Sequence, residues 1–569
     1  MNDAGFTLGS AQAINDTLHW SRLGSQSKRW RLGAAVLFCV IVCIGCTTVS
    51  DYGMSWDEPF RFKGGDSKLA YYQSWFSGAP MQPPKDNYPG VFDLPLALAH
   101  ECLPVFGTRS EKGHVWSLCF GLLGLLSAWR LTARIGGERA GFWALLLLFA
   151  VPRYYGHMFF NPKDIPLAAT YVFGVWALVE LFAKLPKPSW WHVAWVGLAA
   201  GLAMSARIAG LLILGYFALF VLLYLSVFYV FRYRSGRGLP AIELAKDVTY
   251  WAMRGAVSGI IALLPVLIFW PAMHANPFER LRGTVETVQS YGWNGMVLMN
   301  GRFWPASDLP PYYIPYWMVS TMPESVLALF VLAVALGGGA ILSYKRMCRW
   351  PQAAQFYPRL VLLFAAVFPL CYLLWKDPVL YDGMRHFLFV VPPIVCVAAL
   401  GLEWLLRRAE RCGRRLAYLG LQFGVGMACI VVCIEMLALH PYQYIYFNQI
   451  AGGLPAAYMR DETDYWGVSH KEAAEWLNAY VEARAPAAGC VYKVHQRYSR
   501  WMLEEHLNPE HFVMSKERDG ADFFVSVTRF NLHTSYPEAE LLHVVQRQGV
   551  PLCFVFKLSN RSELQIEAR

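Results

Sequence analysis

Along this chain, apolar runs of about 17 to 23 residues alternate with short polar links, and that run length is what a helix needs to cross a bilayer. Such runs are read at 33–50, 114–133, 139–158, 166–183, 190–206 and 209–231, and again at 255–273, 322–343, 359–375, 386–404 and 416–438. About eleven spans predict an α-helical polytopic membrane protein with its termini on opposite faces. The stretch VFDLPLALAHECLPVFG, 91–107, is also apolar, but Asp93, His100 and Glu101 interrupt it, so it reads as an interfacial helix. After HPYQYIYFNQIAGG the pattern turns polar. KEAAEWLNAYVEA has helical spacing, and ADFFVSVT and PLCFVFKL read as strands, which together predict a small C-terminal α/β domain. The expected organisation is an N-terminal segment 1–31, a membrane domain 32–450 with long links 51–113 and 274–321, and the α/β domain 451–569.

Charge placement orients these elements. Lys28, Arg29 and Arg31, then Arg130, Arg134 and Arg139, Lys184 and Lys187, Arg232, Arg234 and Arg237, Lys345, Arg346 and Arg349, and Arg407 to Arg415 all fall on one predicted face. Short cytoplasmic links retain Lys and Arg during insertion, so that face reads as cytoplasmic and the long links and C-terminal domain as periplasmic, in the inner membrane of the cell. With 56% hydrophobic and 16% charged residues, the net charge of +10 is this topological signal and not a nucleic-acid footprint. Cys39, Cys43, Cys46 and Cys429 lie inside apolar runs, where a thiol behaves as a small hydrophobe. Cys490 and Cys553 fall in the C-terminal segment, where an oxidising compartment and suitable geometry would let them pair.

The unusual polar residues gather on the outer predicted face. SWDEP puts Asp57 and Glu58 just beyond the first span, with Trp56 suited to the membrane interface. PRYYGHMFFNPKDIP packs Arg153, His157, Asn161, Lys163 and Asp164 into one turn, where ionisable groups at membrane depth are costly unless paired or functional. Arg207 in MSARIAG, and Arg385 and His386 in KDPVLYDGMRHF, run against the positive-inside bias, and an anionic phosphate is the reason they invite. The bland alternative for Arg385 is a salt bridge to Asp377 or Asp382. His274 and Asn276, YGWNG at 291–295, Glu324 and HPYQYIYFNQ complete the set; their aromatics suit either sugar stacking or an interfacial belt. No Walker loop, HExxH, GxSxG or Rossmann glycine pattern occurs.

SWDEP after the first span, the acidic turn NPKDIP and the span layout with a terminal outer domain resemble the GT-C membrane glycosyltransferases, closest to the bacterial family 39 group with its protein O-mannosyltransferases and aminoarabinose transferases. The resemblance implies inverting transfer of a sugar from a polyprenyl-phosphate carrier to an acceptor at the outer leaflet. The acceptor is a protein, lipid A or another envelope glycan, with membrane lipids as further partners. It implies Asp57 as base with Glu58 beside it and Asp164 as second acid. On placement, Arg207, Arg385, His386, Lys163 and Arg153 are expected to hold the carrier phosphate, and His157, Asn161 and His274 to meet substrate. In some relatives an acidic pair holds a divalent ion, so metal stays open. The alternative reading is a lipid or sugar transporter or flippase, for which neither an inverted repeat nor paired broken helices are seen.

Overall fold

The computed structural model describes residues 8–80, 84, 86, 88–103, 107–236, 238, 241–289, 292–341, 352–484 and 490–558. The basic link Lys345, Arg346 and Arg349, Arg237, Tyr291 of YGWNG and the last ten residues lie outside them, as do the side chains of residues before 27.

The membrane region is a helical bundle. Its helices run α1 Leu8–Thr48, α2 Glu58–Ser77, α3 Asp93–Cys102, α4 Arg109–Gly136, α5 Glu138–Phe149, α6 Pro152–Phe160, α7 Asp164–Phe182 and α8 Trp190–Ala206. They continue as α9 Leu212–Arg234, α10 Ala241–Phe269, α11 Pro277–Gln289, α12 Tyr313–Thr321, α13 Glu324–Ile341, α14 Gln352–Lys376, α15 Val391–Arg411 and α16 Arg415–Leu439. Among the described residues, 8 helices are long and apolar enough to cross a membrane, and the chain is a multi-pass membrane protein. They coincide with eight of the runs read from the sequence. The remaining three runs are helical but shorter: α8 has 17 residues, and the described apolar part of α13 is Glu324–Gly337. The third, 139–158, is not one helix. Val151 is extended (φ −96°, ψ 101°), because the ring of Pro152 disfavours helical geometry in the residue before it, and the run splits into α5 and α6.

The stretch read as an interfacial helix is α3, whose 10 residues are too few to span. It is held against α2 by a buried ion cluster. Asp93 Oδ2 accepts from Arg61 Nη1 and Lys68 Nζ, each at 3.0 Å, and Lys68 also reaches Asp86 at 2.8 Å. α4 opens with a full capping box between Thr108 and Glu111.

The C-terminal region holds the helix α17 His470–Glu482, read from KEAAEWLNAYVEA, and a five-stranded sheet. After a short hairpin of β1 Met296–Met299 and β2 Arg302–Pro305 in the long link, the sheet strands are β3 Tyr492–His495, β4 Phe512–Ser515, β5 Phe523–Val527, β6 Glu540–Arg547 and β7 Val550–Lys557. Their order is β4-β3-β5-β7-β6, parallel from β4 to β5 and antiparallel from β5 to β6. β5 and β7 are the two strands legible in the sequence. Cys490 and Cys553 are both free thiols; Cys553 is buried on β7, which β5 separates from β3 and the neighbouring Cys490.

This domain is seated on the bundle. Trp56, expected at a membrane interface, packs instead against Tyr498 and Trp501, with ring centroids 4.8 and 5.9 Å away. Ser110 donates to Glu505 at 2.9 Å. HPYQYIYFNQ is neither a stacking platform nor a belt: Tyr442, Gln443, Tyr444, Tyr446 and Asn448 are buried, and Asn448 Nδ2 donates to the carbonyls of Val319 and Met322.

Candidate active site

Two local devices set the site's acids. In the first, Ser55 Oγ donates to the carbonyl of Phe160 at 2.8 Å, and its backbone N–H donates to Glu58 Oε2 at 2.6 Å. The start of α2 is thereby clamped to the end of α6, with Asp57 between. In the second, Asn161 Oδ1 accepts from the backbone N–H groups of Lys163 and Asp164 at 3.2 and 2.8 Å, an Asx turn across Pro162 that starts α7 with Asp164 in its first turn. An acid there is favoured by the exposed N–H groups and the helix dipole.

A third device supplies the cation between them. Asp382 and Gly383 both take left-handed backbone (φ 58° and 65°), a turn suited to Asp-Gly that directs Arg385 inward. Arg385 then meets three carboxylates: Asp57 Oδ2 at 2.5 Å through Nη2, Asp164 Oδ2 at 3.2 Å through Nε, and Asp382 Oδ2 at 2.8 Å through Nη1. Its guanidinium lies 4.7 Å from the centre of the Trp466 ring. Lys163 Nζ takes the other oxygen of Asp57 at 2.9 Å, and Arg207 Nη2 the other oxygen of Asp164 at 2.7 Å. Arg529 closes the chain on Asp382 Oδ1 at 2.5 Å.

Three carboxylates and four cations therefore share one cluster, with Glu462 at its edge 3.9 Å from Arg529. Burial alone would raise the Asp57 carboxyl, but Lys163 and then Arg385 outweigh it and hold the group well below the usual carboxylate range. So many desolvated charges are not an economical way to hold helices together, which makes the cluster the candidate site.

The other sequence candidates divide. His157 is bound at both ring nitrogens, to Asn161 at 3.1 Å and to the Tyr465 hydroxyl at 3.0 Å, so it braces the Asx turn. Glu58 turns away from the cluster toward His114, 3.2 Å distant. Arg153 is buried between the rings of Trp317 and Phe447, 5.3 and 5.0 Å from their centroids, and donates through Nε to the Tyr446 carbonyl; it joins no carboxylate of the cluster. His386 sits edge-on to Tyr381, 4.5 Å between centroids. His274 belongs elsewhere, bonded to Tyr71 at 2.9 Å within an aromatic group with Tyr72 and Trp75.

Sequence reasoning missed Arg529, which carries no motif, and gave no site role to Trp466, which lies in DYWGVSHKEAAEWLN, a stretch that resembles a family subgroup. Tyr88 was missed too. Its ring lies 4.4 Å from the Arg61 guanidinium and 5.2 Å from Lys163 Nζ, joining the α2–α3 ion cluster to the site. The donors do not fit a divalent ion, since both oxygens of Asp57 and of Asp164 are already taken by cations. Among the described residues, no group of three His, Cys, Asp or Glu could hold one.

Residues 95–232 match the family model of dolichyl-phosphate-mannose-protein mannosyltransferases. The match bears out, at the level of the GT-C superfamily, the resemblance drawn from the sequence. It takes in Lys163, Asp164 and Arg207 but not Asp57 or Arg385. Among solved structures, ArnT from Cupriavidus metallidurans in the apo state is 14% identical over 92% of this chain and 98% of its own, with a TM-score of 0.49. The same protein bound to undecaprenyl phosphate is 15% identical over 92% and 97%, at 0.42. The apo oligosaccharyltransferase of Archaeoglobus fulgidus is 12% identical over 88% of this chain and 70% of its own, at 0.45. The comparison with curated proteins gives no match.

Proposed function

We propose that this protein is an inverting glycosyltransferase that moves a sugar from a polyprenyl-phosphate carrier to an acceptor hydroxyl at the outer face of the cytoplasmic membrane, with Asp57 as the base. The observation that carries this reading is the convergence of Asp57, Asp164 and Asp382 on Arg385, with Lys163 and Arg207 on the remaining acid oxygens.

A polyprenyl phosphate leaves as a stable anion, so the reaction needs a base for the acceptor and cations for the departing charge, and no general acid. Both kinds of group are present, and in the resting site they occupy each other. Asp57 with Lys163 and Arg385 on its two oxygens is a poor base. When the carrier phosphate enters, Lys163 and Arg207 turn toward it and give up part of their hold on Asp57 and Asp164. Asp57 then gains basicity only in the presence of donor, which limits wasteful reaction with water. Arg385, fixed by Asp382 and the face of Trp466, keeps the two acids in register.

The test uses membranes containing the full chain and a labelled polyprenyl-phosphate sugar, comparing wild type with Asp57→Asn. Transfer should fall by at least a hundredfold while binding of the carrier is kept. Unchanged transfer in the variant would remove Asp57 from the mechanism. Movement of intact labelled lipid across the bilayer without transfer would favour a flippase.

A further inference from the structure

A cavity of about 670 Å³ lies at the far end of the bundle, within the range of roughly 300–1,000 Å³ typical of small-ligand sites. α13 and α14 both pack on α15, and residues of all three line the cavity. α13 and α15 are in close contact at Gly401, where an added Cβ would come 2.8 Å from the Leu329 carbonyl oxygen. Further along α13, a Cβ on Gly337 would meet nothing within 4 Å among the described residues.

The walls and the rim differ in chemistry. Leu336, Leu360, Leu363, Leu400 and Trp404 make the walls apolar, and Arg359, Arg407, Arg408 and Arg411 stand at the same end. Glu403 also lines the space, but Arg139 and Arg407 already occupy it at 2.8 and 2.6 Å, and Glu410 is taken by Arg139 at 2.6 Å. Arg408 and Arg411 are exposed and form no ion pair among the described residues. Arg408 and Arg411 therefore place positive charge, unpaired among the described residues, over an apolar slot.

We infer that this cleft binds an anionic phospholipid of the adjoining leaflet, with an acyl chain between α13 and α14 and its phosphate on Arg408 and Arg411. Charge complementarity selects this occupant. A neutral lipid gains nothing from the rim, and a free anion gains nothing from the walls. The carrier of the proposed transfer reaction is not the occupant. From Arg385 to Arg408 the chain follows a short 3-10 turn and then α15, at about 1.5 Å per residue, so the two ends lie on the order of 35 Å apart. The inference does not depend on the transferase reading.

The test is photolabelling of the full chain in phosphatidylcholine vesicles containing a minor fraction of phosphatidylglycerol with a photoactivatable acyl chain, followed by mapping of the labelled peptides. Label should appear on residues 333–337 and 397–404, on the order of tenfold above that from a phosphatidylcholine probe. The double variant Arg408→Gln, Arg411→Gln should lose that preference, Arg408→Lys with Arg411→Lys should keep it, and Gly337→Leu should abolish labelling of the cleft with either probe. Equal labelling by both probes, label confined to other helices, or a preference that survives the glutamine pair would overturn the assignment. Labelling elsewhere on the chain serves as the control that each variant is folded.

Discussion

Arg385 Nη2 lies 2.5 Å from Asp57 Oδ2, joining residues 328 positions apart in the chain. The same guanidinium also holds Asp164 and Asp382, so it is the centre on which the acids of the first loop, the second loop and the last membrane links are assembled. Its planar fork is what permits three partners at once.

Arg385→Lys keeps the charge but offers one ammonium where three carboxylates are spaced around a plane. Transfer from the labelled carrier should drop by at least a hundredfold with only a modest fall in melting temperature. Arg385→Met leaves three buried carboxylates short of a partner and should cost about 3–5 kcal/mol of stability. Thermal unfolding in detergent, run beside the transfer assay, separates the two effects. A lysine variant with full activity would show that the fork has no role.

Arg529 is the C-terminal domain's contribution to the cluster. It is largely enclosed, reaches Asp382 at 2.5 Å, and donates to the Tyr498 hydroxyl at 2.8 Å. Arg529→Met should release Asp382 and through it Arg385, lowering kcat more than it raises KM for the carrier, since it touches neither reacting group. Arg529→Lys should restore part of the rate. Equal loss in both variants with a collapsed melting temperature would mean that the residue only holds the domain in place.

Glu462, next to Arg529, is a buried acid of a different kind. Burial raises its carboxyl to about 8, despite Arg529 on one side, and its Oε2 has no hydrogen-bond partner among the described residues. Its folded-state pKa lies above the unfolded value, so between about pH 5 and pH 8 the unfolded chain has released this proton while the folded chain retains it. Stability from this group is complete below that window and lost as pH rises through it. Glu462→Gln should therefore melt close to wild type at pH 5 and at a higher temperature than wild type above pH 8. A wild-type minus variant difference that does not change with pH would refute the assignment.

Gly383 turns the chain into Arg385 with φ 65°, and an added Cβ would lie 3.1 Å from Arg153 Nη1. Gly383→Ala should lose about 1–2 kcal/mol from the left-handed backbone alone. It should also reduce transfer by displacing Arg385, which parallel melting and activity measurements will detect.

Local pattern was enough to find most of the long helices and the candidate acids and cations. Apolar run length and the first-turn prolines act within a few residues, so α7, α9, α10, α15 and α16 were legible, and so were Asp57, Lys163, Asp164, Arg207 and Arg385 as polar groups in places where polarity is costly. The strands β5 and β7 were readable for the same local reason. Which of these groups meet depends on how remote segments pack. Arg153 and His274 were candidates beside Arg207, yet one is enclosed by Trp317 and Phe447 and the other is bonded to Tyr71. Arg529 gave no signal, because its partner Asp382 lies 147 positions away. Ion pairing depends on distances of about 3 Å set by packing between remote segments, whereas periodicity carries information only about neighbours along the chain.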